Sequence, residues 1–217
     1  MKKWKKKELF LKLIMLEKEM FLKKNNNFLI VFLVLFSIFC SYDSYAEEKV
    51  DKNKIFDYLE NINEFSASFI QIQENDVSEG LLFIGFERLK LEYTNPSKLI
   101  FILKKNRGML YNPDLKEVQY FNTKNNAGQI FFDLFYNKNF FEDSKIISNS
   151  QEITVDKEID FDDSKYKINI LFENFPLNLR KISVDNSDTV TFFSITNHNY
   201  NPKLDKKIFS LANPLLN

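Results

Sequence analysis

Few residues in this chain could do covalent chemistry, and they are poorly spaced for it. The one histidine, His198, stands among Asn197, Asn199 and Tyr200. A general base there would need a nucleophile within reach and an acid to orient its ring. The four glycines, Gly80, Gly85, Gly108 and Gly128, frame no serine in a sharp nucleophile turn. His198 therefore reads as a surface histidine near a strand end. The acidic run Asp156 to Asp163 offers the oxygens a calcium ion takes, but lacks the alternating ligand loop and its central glycine. It reads as a solvated linker between strands. So few glycines also leave no phosphate-cradling loop. These patterns point to no catalytic group, no metal and no cofactor, and hence to binding rather than reaction.

The segment ahead of the chain's body sets where that binding takes place. Lys23 and Lys24 precede an apolar run from Phe28 to Cys40, which gives way to Ser44-Tyr45-Ala46. A basic flank, a short apolar stretch and a small-x-small site form a cleavable export signal. A membrane anchor needs about 20 apolar residues, more than this run supplies. Acylation at Cys40, the only cysteine, is disfavoured by the bulky Ile38 and Phe39 before it. Residues 1–19 make the leader long for a signal peptide, so Met20 offers an alternative start. The expected organisation is a leader over residues 1–46 and a single domain over residues 47–217.

Nine of the 30 basic residues and four of the 30 acidic ones fall in residues 1–46, which leaves 21 against 26 afterwards. A net negative domain argues against nucleic acid or an anionic membrane as partner. With Cys40 in the leader, disulfides and thiolate sites are excluded from the domain. The 171 residues after Ala46 suffice for one core.

What positions a binding site is mostly strand. Val50 to Asn63 is a helix, with Ile55, Leu59 and Ile62 in one apolar stripe. From Phe65 the period changes to two, with Phe65, Ala67 and Phe69 alternating with serines. Strands follow at Leu81–Phe86, Arg88–Tyr93 and Lys98–Leu103. Gly108–Tyr111 and Glu117–Phe121 flank Asn112-Pro113-Asp114-Leu115 as a hairpin. After a polar loop, Gln129–Tyr136 has Ile130, Phe131, Leu134 and Phe135 at helical spacing. Five more strands are expected at Ile146–Asn149, Glu152–Asp156, Tyr166–Glu173, Leu179–Asp185 and Thr189–Thr196, with Lys207–Leu211 as a last edge strand. Short connections imply antiparallel neighbours, and a sheet of roughly ten strands tends to curl. The expected fold is mainly β with a few helices, a curved antiparallel sheet forming an incomplete barrel under a helical lid. The domain is expected to be monomeric.

Phe65-Ser66-Ala67-Ser68-Phe69-Ile70-Gln71 resembles the F-x-A-x-F-x-Q signature of the LolA family of periplasmic lipoprotein carriers. Arg88 to Pro96 resembles that family's basic and aromatic strand ending in E-Y-x-x-P. Tyr111 to Val118 is similar to its Y-D-P-x-L-x-Q-V hairpin, and Phe209 to Pro214 to its terminal F-x-L-x-x-P. The resemblance implies a half-barrel that binds the acyl chains of lipoproteins in the periplasm of a Gram-negative bacterium. It also implies partners: acylated lipoproteins, an inner-membrane lipoprotein-releasing ABC transporter and an outer-membrane acceptor lipoprotein. The competing readings are that acylated acceptor itself, an envelope sensor or adaptor, and a general lipid-binding protein of the same fold.

Strand alternation nominates Leu89, Leu91, Tyr93, Ile100, Ile102 and Phe121 as cavity wall, and Ile55, Leu59 and Ile62 as the lid's inner stripe. Many family members hold the lid with an arginine in an Arg-Pro pair, where this chain has Gly85-Phe86. Arg88 and Lys90 are the candidates to replace it, although alternation sets both opposite Leu89, Leu91 and Tyr93.

Overall fold

The computed structural model describes residues 51–125, 128–161 and 164–216, all within the unit Val50–Asn217. The export signal at Phe28 to Ala46, the alternative start at Met20 and the question of acylation at Cys40 lie outside the described residues.

A helix over residues 51–60, α1, opens the described chain. Ile55 is fully buried and Leu59 and Ile62 are half-buried against the core, so the apolar stripe faces inward. Helix α1 ends at Glu60, three residues earlier than the periodicity suggests. The backbone N–H and the side-chain amide of Asn61 both donate to Asp57 O, and Ile62 N–H donates to Leu59 O, closing the last turn.

Six strands follow as a meander: β1 (Phe65–Gln73), β2 (Asp76–Gly85), β3 (Arg88–Asn95), β4 (Leu99–Lys104), β5 (Arg107–Asn112) and β6 (Glu117–Phe121). A 3₁₀ turn at Thr123–Asn125 and helix α2 (Gly128–Tyr136) lead to a second meander. This comprises β7 (Lys145–Ser148), β8 (Glu152–Phe161), β9 (Ser164–Asn174), β10 (Leu177–Asp185) and β11 (Val190–Asn199). Every pairing is antiparallel, and β1 with β11 joins the two meanders into one sheet of order β6-β5-β4-β3-β2-β1-β11-β10-β9-β8-β7. Strands β6 and β7 end the sheet without pairing to each other, so the barrel is incomplete. The chain between them carries α2, and α1 and α2 cover the face on which Phe65, Phe69, Leu89, Ile170 and Phe172 are buried.

Two local expectations are corrected. Lys207–Leu211 forms no strand: Lys206–Phe209 is a 3₁₀ turn capped by Asp205, whose Oδ1 accepts from Lys207 N–H at 2.9 Å. Its Phe209 is buried with Ile102 and Met109 in a second, smaller cluster on the outer face of the sheet. The tail thus docks by side-chain burial, and its backbone pairs with no strand. The acidic run is not a linker either, because Asp156, Glu158 and Asp160 belong to β8 and face Asn169, Lys167 and Lys165 across β9. Alternation places the carboxylates on one exposed face and Val155 and Ile153 in the core, so opposite charge across the ladder offsets the poor strand propensity of aspartate.

With so few glycines, left-handed turn positions fall to other residues, among them Lys116 at φ 54° in the β5–β6 hairpin. A Cβ in that region costs about 1–2 kcal/mol. Lys116→Gly is therefore expected to raise stability by up to about 1 kcal/mol after the added chain entropy of glycine. The denaturant midpoint reads this, and an unchanged or lowered midpoint would contradict it.

Candidate functional site

The inner face of the first meander is set by register. Leu89 lies opposite Leu103, and Leu103 opposite Gly108, which faces Phe121. One row along, Leu91 lies opposite Phe101, Phe101 opposite Leu110, and Leu110 opposite Gln119. Phe121 reaches inward because its neighbour has no side chain: a Cβ on Gly108 would stand 2.2 Å from the Phe121 ring. Helix α2 lies above, and its Phe131 meets Phe193 of β11 edge-on at 4.8 Å.

Between them is a cleft of about 370 Å³ lined by Leu91, Tyr93, Phe101, Leu103, Leu110, Phe121, Gly128, Phe131 and Phe193. Among the described residues no charged side chain lines it. Its polar element is the Tyr93 hydroxyl, which donates to Gln71 Oε1 at 2.6 Å, and burial pushes that phenol up to about 12, so it stays neutral. Tyr93 stands edge-on to Phe69 at 5.0 Å and to Phe101 at 5.8 Å, a geometry that fixes aromatic walls. Two larger depressions flank α1. One, of about 450 Å³, combines Phe56, Leu59 and Phe135 with Glu60, Glu87 and Lys138. The other, of about 550 Å³, carries Lys54, Asp57, Tyr58 and Tyr200. Their charged rims disfavour a purely apolar ligand, and the smaller cleft suits one.

Of the residues nominated from sequence, Leu91, Tyr93 and Phe121 line this cleft. Leu89 lies deeper, fully buried in the main core. Ile100 and Ile102 face the other way, and their placement as cavity wall is corrected: they pair with Glu92 and Lys90 and pack in the outer cluster with Phe209 and Met109. The segment Leu99 to Leu103 is apolar at every position, so alternation alone does not choose its face. Pairing with β3 does, and would have nominated Phe101 and Leu103. Phe193 alternates with Ile195 against Ser194 and Thr196, a signal for its buried face that would have nominated it, whereas Leu110 lies in Arg107–Asn112, where only pairing identifies the inner face.

The lid is held differently from expectation. Arg88 and Lys90 lie on the outer face, with the Arg88 guanidinium 5.6 Å above the Phe209 ring and Lys90 paired to Glu92 at 2.6 Å. Neither side chain holds a helix. Instead, the Tyr136 hydroxyl at the end of α2 lies 2.7 Å from both Gly85 O and Arg88 O, and its single proton is shared between those carbonyls. Helix α1 is anchored from the other side. The Tyr58 hydroxyl accepts from Leu179 N–H at 3.2 Å, where a bulge interrupts β10, and donates to Tyr200, whose own proton goes to Asn178.

His198 joins that anchor, its Nε2 2.7 Å from Leu179 O and its ring stacked on Tyr200. Burial holds its pKa below the usual histidine range, and the Arg180 guanidinium adds to the effect. On acidification the unfolded chain therefore binds the proton first. The His198 contribution to stability is complete above about pH 6.5 and is lost as pH falls through the lower folded value. The denaturant midpoint is expected to fall as pH drops below about 6.5, and His198→Gln should flatten that slope. An identical slope in the variant would contradict it.

A protein-family model described as outer membrane lipoprotein carrier protein LolA matches residues 60–212. Among curated proteins no sequence matches this chain. Solved structures with a similar course include an uncharacterized conserved protein from Thermus thermophilus, at 6% identity and TM-score 0.48, covering 71% of this chain and 90% of that one. A chain of the Pseudomonas aeruginosa MucA/MucB complex matches at 13% identity and TM-score 0.43 over 74% of this chain, which spans 59% of that chain. LprF from Mycobacterium bovis matches at 8% identity and TM-score 0.36, over 71% and 95% of the respective chains.

Proposed function

We propose a carrier function from one premise: this chain belongs to the LolA family of outer membrane lipoprotein carrier proteins. In this reading the protein is exported to the periplasm of a Gram-negative bacterium. There it takes acylated lipoproteins from an inner-membrane ABC transporter and passes them to an outer-membrane acceptor, without making or breaking covalent bonds. The observation that carries the reading is the cleft under α2, walled by aliphatic and aromatic side chains and free of charge.

Each methylene removed from water contributes about 0.8 kcal/mol, so a sixteen-carbon chain costs on the order of 12 kcal/mol to expose. A carrier must offset most of that and still release its cargo. A cleft of modest size meets both demands, because α2 stays anchored by Ile130, Phe132, Leu134 and Phe135 in the core and presents Gly128 and Phe131 to the cleft. The test is titration of the purified protein with a diacylated lipopeptide and with the same peptide deacylated. Saturable binding of the acylated form alone is expected. Equal binding of both, or of neither, would overturn the carrier reading.

The lid contact gives a kinetic expectation. Tyr136→Phe removes the donor from Gly85 O and Arg88 O, a loss of about 1 kcal/mol. Acyl release is expected to quicken roughly fivefold. Stopped-flow displacement of a fluorescent fatty acid measures it, and an unchanged rate would show that α2 does not gate the cleft.

A further inference from the structure

We infer that the free edge of β6 takes the polypeptide of an acylated cargo, just past its lipid-bearing residue, as an added antiparallel or parallel strand; the inference rests on the carrier reading. Strand β6 closes one side of the sheet and pairs only with β5 among the described residues. The same strand belongs to the cleft. Phe121 lines it, and the inner row Leu91, Phe101, Leu110 runs out to Gln119 at that edge.

Sheet edges that must stay unpaired usually carry proline, lysine, a bulge or a short strand. β6 reads Glu117-Val118-Gln119-Tyr120-Phe121 and pairs with β5 over five residues in unbroken register. Its one charge is Glu117 at the first position, and Val118 to Phe121 carry none of these defences. The opposite edge is guarded, since β7 has four residues and begins with Lys145. Gln119 and Tyr120 are exposed, so nothing described covers the β6 flank.

The occupant follows from continuity. An acyl chain in the cleft brings the first residues of its own polypeptide to the mouth, and an added strand lies about 4.8 Å from the one it joins. Tethering makes weak main-chain pairing effective without affinity for a free peptide. Pairing through the backbone reads no side chains. The edge would therefore accept cargo of varied sequence and favour an acyl group with an extended polypeptide behind it over one without.

The test uses the exported protein and two lipopeptides with the same dipalmitoylglyceryl-cysteine and the same five-residue extension, one of them methylated on every backbone nitrogen of the extension. The unmodified lipopeptide is expected to bind about tenfold more tightly, the worth of roughly two net hydrogen bonds, and to slow hydrogen exchange in residues 118–121. Equal affinities with no added protection in β6 would overturn the inference and leave the carrier reading intact. Protection of β6 that rises with protein concentration in the absence of lipopeptide would overturn it in favour of edge pairing between two copies. Failure of both lipopeptides to bind would defeat the carrier reading and this inference with it.

Discussion

Leu91→Asp is expected to abolish acyl binding. Leu91 is 8% exposed, lies opposite Phe101 on one side and Leu82 on the other, and forms part of the cleft wall. A carboxylate there has no cationic partner on the inner face, where neighbouring side chains are aliphatic or aromatic. Burying it unpaired costs several kcal/mol, through a lowered denaturant midpoint or through protonation of the acid. In either form it replaces apolar wall with a group that must shed water before an acyl chain can touch it. Ile147→Asp supplies the contrast, since Ile147 is 51% exposed on β7 and its replacement should shift stability by no more than about 0.5 kcal/mol. A folded Leu91→Asp protein that still binds the diacylated lipopeptide would remove β3 from the cleft wall.

Phe69→Ala has the largest expected effect on stability, a loss of about 3–5 kcal/mol. Phe69 is 1% exposed, and its ring lies over Gly80 and stands edge-on to Tyr93. The void cannot be filled from Gly80, because a Cβ there would approach Glu92 O to 2.3 Å. Tyr93 and Phe193 would lose the ring that backs them, so acyl affinity should fall along with the unfolding midpoint. A shift in midpoint worth less than about 1 kcal/mol would mean that the cavity collapses and that the packing behind the cleft is not rigid.

How much of this was legible depends on which physical signal decided each element. The stripe Ile55, Leu59, Ile62 and the Asn112-Pro113-Asp114-Leu115 hairpin are local matters of period and turn chemistry; the hairpin stands as read, as do Ile55 and Leu59 on α1, while Ile62 lies past the helix end and is half-buried against the core. The antiparallel order of neighbouring strands stands too, and so does α2 as a helix, with Phe132 buried where the spacing names Phe131. Where the reading failed, a nonlocal term decided. The face of β4 is chosen by pairing, since Leu99 to Leu103 is apolar throughout, and so Ile100 and Ile102 turned outward beneath Phe209. The acidic stretch of β8 has poor strand propensity, yet lysines across β9 hold it in the ladder. The Tyr136 contact joins residues about fifty positions apart, and no spacing rule in one sequence marks it.

The most direct measurement is photo-crosslinking of the purified protein with a lipopeptide whose palmitoyl chain carries a diazirine near its end, followed by mass mapping of the labelled residues. The account predicts saturable labelling at Leu91, Phe101, Leu110, Phe121 and Phe131, competed away by unlabelled lipopeptide. Labelling confined to the outer cluster around Ile102 and Phe209, or labelling that unlabelled lipopeptide does not reduce, would contradict it.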